Sequence, residues 1–371
     1  MAVTRTRLAD IERKVDSGER LSAEDGIALF ECDNLPLLGR LARLAQQHKS
    51  GDYVFFNTNR HLNLTNVCVG TCAFCSFARR EGQPDAYTLS IDEAVGKAID
   101  SAPDGVTELH VVNSLHPTLP FNYYLEVMRR LKVAMPNVHI KAFTAVEIDH
   151  FCQISGLSAE EVLRVLKDAG LGSLTGGGAE VFSSRVRSLV CPRKTSAARW
   201  LEIHRIAHTL GLSSTATMLF GHVETPAERV DHLLQLRKLQ DDTGGFLVFV
   251  PLRFHNVGNN LAHLPQATAH EVLKTFAVSR LLLDNFDHLK AYWVSVGLEI
   301  AQLSLEFGVD DLDGTVVQEQ IHHNAGATTP QRLSKDDLVH LICEAGRIPA
   351  ERDTLYNVVQ VHTSPGEGPV R

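Results

Sequence analysis

Three cysteines, Cys68, Cys72 and Cys75, fall within eight residues in the stretch Asn63-Leu-Thr-Asn-Val-Cys68-Val-Gly-Thr-Cys72-Ala-Phe-Cys75-Ser-Phe77. Thiolates spaced C-x3-C-x2-C on one short loop can hold three corners of an iron–sulfur cube. A [4Fe–4S] cluster ordinarily takes four thiolates, and this loop offers no fourth. One iron would then stay open to a small molecule. Two other readings of the same residues stand beside this one. Buried thiols often serve only as small hydrophobes. A zinc ion could take the three sulfurs with His61 as fourth ligand, although zinc ribbons usually pair their cysteines and His61 stands before an apolar strand.

Such a loop needs a large scaffold to hold it. The chain has 371 residues, 44% hydrophobic and 22% charged, enough for one large barrel or two ordinary domains. A net charge of −8 argues against a nucleic-acid partner. No apolar run is long enough to span a bilayer, so no membrane association is expected. The N-terminus lacks the apolar core of a signal peptide. Cys32, Cys152, Cys191 and Cys343 are scattered singly, as in the reducing cytoplasm.

Residues 1–49 read as a helical cap. Ser22 with Glu24 and Asp25 opens one helix, and Leu35, Leu38, Leu41, Leu44 and Ala45 stripe the next. From about residue 50 to 356 strands alternate with helices. Strand candidates are Leu62–Val67, Glu108–Val112, His139–Phe143, Gly172–Thr175, Ser214–Leu219, Phe246–Val250, Leu289–Val294 and Asp311–Thr315. Capping boxes at Ser90/Glu93, Ser158/Glu161, Thr225/Glu228 and Thr268/Glu271 mark helix starts. Eight β-then-α units predict a (β/α)8 TIM-type barrel, with an open six-stranded core as the alternative. The tail, 357–371, ends Ser-Pro-Gly-Glu-Gly-Pro-Val-Arg without periodicity and reads as mobile at its end. In a barrel, chemistry sits at the C-terminal strand ends, and the motifs below each follow a strand candidate.

The cysteine loop after a first strand, in a chain of this size, resembles the radical S-adenosylmethionine (SAM) superfamily. The resemblance implies that the open iron binds the amino and carboxylate groups of S-adenosylmethionine. An electron from the cluster then yields methionine and a 5′-deoxyadenosyl radical. It further implies cofactor contacts from Phe74, near adenine, and from the turn after the second strand. There Asn113 and Ser114 replace the usual Gly-Gly-Glu-like turn, with His116 beside them. In Thr175-Gly-Gly-Gly-Ala-Glu180, Gly177 and Gly178 allow close backbone approach, and Glu180 would accept the ribose hydroxyls. Gly221 and Glu224 would shape the adenine pocket, Glu224 mainly by bracing the strand end.

Thr175–Glu180, Gly221–Thr225, Pro251-Leu-Arg-Phe-His255, Leu283-Asp-Asn285, Lys290-Ala-Tyr-Trp293 and Asp311–Thr315 are similar to the aminofutalosine synthase family of menaquinone biosynthesis. That resemblance implies addition of the adenosyl radical to 3-[(1-carboxyvinyl)oxy]benzoate, then rearrangement and decarboxylation to 6-amino-6-deoxyfutalosine. It also implies an electron donor such as flavodoxin or ferredoxin. The substrate carries two carboxylates, so Arg253, His255, His222 and Lys290 are candidates to receive them. Tyr292 and Trp293 would wall off water. Dehypoxanthine futalosine cyclase and the deazaflavin-forming synthases share several of these motifs and remain the nearest alternatives. An iron–sulfur electron carrier or zinc-stabilised binding protein is the alternative of another class.

Overall fold

The computed structural model describes residues 5–100 and 105–362. Three helices, Arg5–Ser17, Ala23–Glu31 and Leu35–Ser50, come first. Ser22 caps the second, and its box is closed by Asp25. These helices lie along the outer helix layer. Lys274 Nζ donates to Phe30 O at 3.0 Å, and a Cβ on Gly26 would stand 2.8 Å from Leu282.

Eleven strands follow among the described residues: β1 Tyr53–Asn57, β2 Asn59–Leu62, β3 Glu108–Val111, β4 His139–Thr144, β5 Ser173–Thr175, β6 Ser213–Phe220, β7 Phe246–Arg253, β8 His288–Leu289, β9 Asp311–Gly314, β10 Ile348–Arg352 and β11 Val358–Val361. Strands β2 to β8 form one parallel sheet in chain order, curled into a barrel wall with helices outside. The segment from β9 to Val317 touches the sheet's two edges through isolated bridges. Ala291 N donates to Asp311 O at 2.8 Å on one side, and His61 N to Val317 O at 2.9 Å on the other. The result is the expected α/β barrel class, as a curled half-barrel of seven parallel strands and not a ring of eight in one sheet. Strand β1 runs into β2 through Thr58, but its lower half pairs with β10 instead of β3. This fork adds a four-stranded sheet, β11-β10-β1-β9, at the barrel's base.

Two strand candidates need correction. The first begins where β2 ends, because its polar side chains capture the backbone groups a ladder would use. Leu64 N donates to Asn113 Oδ1 at 2.5 Å, and Asn63 Nδ2 to Val112 O at 2.6 Å. Thr65 Oγ1 and Asn66 Nδ2 donate to Tyr87 O and Asp85 O. The seventh, Leu289–Val294, is a strand only through Leu289, and Trp293–Val296 is a helical turn. There Ser295 Oγ accepts from Arg253 N at 2.9 Å and ends the ladder. The short strands β1, β10 and β11 had no alternating pattern to reveal them. The Thr268 capping box is half made, because Glu271 turns instead to Arg229, 2.5 Å away. The terminal residues 363–371 lie outside the described residues.

Candidate active site at the barrel mouth

The cysteine loop leaves the C-terminal end of β2 and is pinned from several directions. Val69 N donates to Leu115 O at 2.9 Å, and Ala73 N to Val190 O at 2.8 Å. Ser76 Oγ donates to Val257 O at 2.7 Å, and Asn260 N to Ala73 O at 2.8 Å. Arg80 donates to the carbonyls of Cys68 and Gly70 from beneath. The loop is therefore shaped by contacts after β3, β5 and β7 and not by its own secondary structure. All three thiols are half-buried and unbridged.

Three thiols on one loop are the donor set a cube would take. A Cβ built on Gly70 would stand 3.1 Å from Cys68 Sγ and 4.0 Å from Cys72 Sγ, so both sulfurs face one concavity that glycine leaves free. Gly70 N already donates to Cys68 Sγ at 3.2 Å. Burial pushes the Cys72 thiol up to about 12, partly offset by the nearby Lys194 ammonium. Among the described residues no three Cys, His, Asp or Glu side chains converge on a single ion. A cube asks instead for three sulfurs on three different irons.

Glu180 follows β5 with φ of 50°, in the left-handed region that a non-glycine residue enters at a cost. Its carboxylate meets Lys194 Nζ at 2.6 Å, and Lys194 also lies over the Phe74 ring, 5.4 Å from its centroid. Burial alone would lower the Lys194 pKa. Glu180 and the sulfurs of Cys72 and Cys191 outweigh burial and raise it, so the ammonium stays charged. Gly178 has φ of 84°, and a Cβ there would collide with Val146 Cγ2 at 2.4 Å. Gly177 O accepts from Trp200 Nε1 at 3.2 Å. The glycines thus let this turn press against the neighbouring helix.

After β3, Asn113 is fastened by Glu147, which accepts from both its backbone N and its Nδ2 at 3.0 Å. Glu147 is buried, and burial raises its pKa to about 7 against the hydrogen bonds that oppose it. Ser114 N donates to Thr65 O at 3.2 Å. His116 Nδ1 accepts from Thr118 and Leu119 N–H groups and orders its own turn. After β6, Glu224 accepts from Gly221 N at 2.6 Å and His222 N at 3.0 Å, and pairs with Arg229 at 2.7 Å.

Each of the four carboxylate candidates has a partner, although the buried Nε of Arg253 has none. His222 lies 3.1 Å from Glu224 and is wholly covered. Arg253 Nη2 donates to Ala267 O at 2.6 Å. His255 Nε2 bonds Ser295 O at 2.8 Å, and burial lowers its pKa to about 4. Lys290 points into the barrel, 3.0 Å from Asp313 Oδ1. Trp293 Nε1 donates to Gly314 O at 2.9 Å, behind the wall. Tyr292 is part of the interior surface, its ring parallel to His61 at 6.3 Å. Lys194, Glu147, His110 and His322 belong to this mouth too. No sequence motif marks them, although the parallel pairing of His61 with His110 follows once the strands are placed.

Known proteins match this arrangement closely. The radical SAM superfamily profile matches residues 62–236, and the CofH/MqnC C-terminal region profile matches 243–364. The aminodeoxyfutalosine synthase of Streptomyces coelicolor is 52% identical, covering 96% of this chain and 95% of its own. That of Thermus thermophilus is 48% identical, over 96% of each. A 5-amino-6-(D-ribitylamino)uracil–L-tyrosine 4-hydroxyphenyl transferase from Methanopyrus kandleri is 37% identical over 94% of each. Among solved structures, the FeFe-hydrogenase maturase HydG of Carboxydothermus hydrogenoformans superposes with a TM-score of 0.76 at 19% identity, over 95% of this chain and 81% of that one. Methylornithine synthase (PylB) does so at 0.74 and 16%, over 92% and 97%. At such identities these two speak for the fold.

Proposed function

The chain belongs to the radical SAM superfamily, and on that premise we propose that it is a cytoplasmic aminodeoxyfutalosine synthase. The reading is carried by 52% and 48% identity, over nearly the whole chain, to two proteins of that name. The cofactors are a [4Fe–4S] cluster and S-adenosylmethionine, and together they supply a 5′-deoxyadenosyl group in radical form. The acceptor is 3-[(1-carboxyvinyl)oxy]benzoate. The product, 6-amino-6-deoxyfutalosine, keeps the adenosyl group and has lost a carboxylate.

The protein's own part is placement. Cys68, Cys72 and Cys75 hold the cluster, and the missing fourth thiolate leaves room for the sulfonium's amino acid end. Glu180, held 2.6 Å from Lys194, accepts the ribose hydroxyls. Gly221 and Glu224 fix the turn that borders adenine. Phe74 borders adenine, and Tyr292 lines the interior that excludes water. The outside electron comes from a small donor such as flavodoxin or ferredoxin.

The test is anaerobic reconstitution with iron and sulfide, then incubation with S-adenosylmethionine, dithionite and the enolpyruvyl benzoate. Mass spectrometry should find the adenosyl adduct less carbon dioxide. The CofH/MqnC match over 243–364 favours, as second reading, a sibling that abstracts hydrogen. Such an enzyme would release free 5′-deoxyadenosine and no adduct.

A further inference from the structure

Inside the barrel, from the ends of β2 and β3 across to His255, runs a row of rings in which one polar atom is unused. His61 on β2 and His110 on β3 are register partners and stack at 4.6 Å, with planes 17° apart. On its other side His61 is parallel to Tyr292 within 4°. His322 meets Tyr292 edge-on at 5.2 Å, and His255 closes the row 5.7 Å from His322. His61 Nε2 is buried and has no hydrogen-bond partner among the described residues. Lys290, His222 and His255 have partners, and Arg253 is held through Nη2 although its Nε is unpaired.

We propose that His61, with the Tyr292 hydroxyl and the His322 ring, forms the subsite that receives the aryl carboxylate of the substrate. This rests on the synthase reading. An unpaired buried imidazole nitrogen costs free energy, which a ligand that pairs with it restores. Nothing fixes the His61 tautomer, so Nε2 is free to carry the proton and donate it to a carboxylate oxygen. Burial holds His61 and His322 below their ordinary pKa, so the donors are neutral N–H and O–H groups. The position also suits the substrate's shape. The vinyl carbon must lie toward the cysteine loop, where the adenosyl group is delivered. The ring and its meta carboxylate then extend down the barrel, toward the layer His61 occupies. The His322 segment and the cysteine loop share one neighbour. A Cβ on Gly258 would lie 3.7 Å from Ser76 Oγ and 3.9 Å from Asn324 O.

The experiment compares two ligands, the enolpyruvyl benzoate and its phenyl analogue lacking the ring carboxylate. Binding to the reconstituted protein with S-adenosylmethionine, without reductant, is measured by calorimetry. Wild type should prefer the benzoate by about tenfold or more. His61→Phe keeps the ring stack and removes both nitrogens, and it should bring the preference close to one. Tyr292→Phe should reduce it partway. Iron content and unfolding temperature show that each variant is folded. A preference that survives in folded His61→Phe overturns the subsite. If that happens while wild type still makes the adduct, the synthase reading stands and only the subsite falls. A wild type that binds neither acid overturns both.

Discussion

The Glu180 carboxylate and the Lys194 ammonium stand 2.6 Å apart beside the cysteine loop, fourteen positions apart in the chain, and both are largely buried. Each makes the other's charge tolerable there. Removing the cation leaves an uncompensated carboxylate in a strained backbone position. Lys194→Met should therefore lower unfolding free energy by about 3 kcal/mol, read by denaturant titration. Glu180→Gln should cost less stability and raise the KM for S-adenosylmethionine about tenfold.

The three loop cysteines should differ sharply from the rest. Cys68→Ala, Cys72→Ala and Cys75→Ala should each retain less than about a tenth of wild-type iron after reconstitution. Cys32→Ala and Cys343→Ala should retain it in full, because those thiols lie outside the loop. Iron and sulfide assays read both outcomes.

Gly178 tests how tightly the turn before Glu180 is packed. Its φ of 84° and the 2.4 Å approach of Val146 leave no place for a methyl group. Gly178→Ala should destabilise the protein by about 2 kcal/mol and loosen S-adenosylmethionine binding with it. Gly82→Ala, at φ of 83° with open space around it, should show only the backbone cost.

Acid should expose the buried histidines. His232 Nδ1 accepts from Phe182 N at 3.2 Å while Nε2 donates to Thr217 O at 2.9 Å, so only the neutral ring satisfies both. Burial lowers its pKa from 6.5 to about 3. Between those values the unfolded chain holds a proton that the folded one refuses. The stability this histidine contributes is fully present above about pH 6.5 and is lost as pH falls toward 3. Relative to His232→Gln, wild type should lose about 1.4 kcal/mol per pH unit in that window, measured by urea unfolding.

Much of this was legible in the chain. The capping boxes and the alternation of strands and helices gave the barrel and most of its staves. The spacing of the loop cysteines and the glycine-rich approach to Glu180 marked both as candidates. What stayed hidden depended on long-range pairing. Strand β1 forms only where β9 and β10 flank it, in the four-stranded sheet, and Lys194 joins the site from a turn without a motif. Of the cations chosen by position, Lys290 pairs with Asp313, and Arg253 donates through Nη2 to Ala267 O while its Nε stays unpaired. Charge in a sequence does not show whether a partner already holds it.

The fate of the adenosyl group decides the central claim. Turnover with S-adenosylmethionine labelled in the adenosyl carbons should place the label in a decarboxylated substrate adduct, roughly one per methionine formed. Label recovered as free 5′-deoxyadenosine in step with methionine, with substrate present and no adduct, would contradict the account.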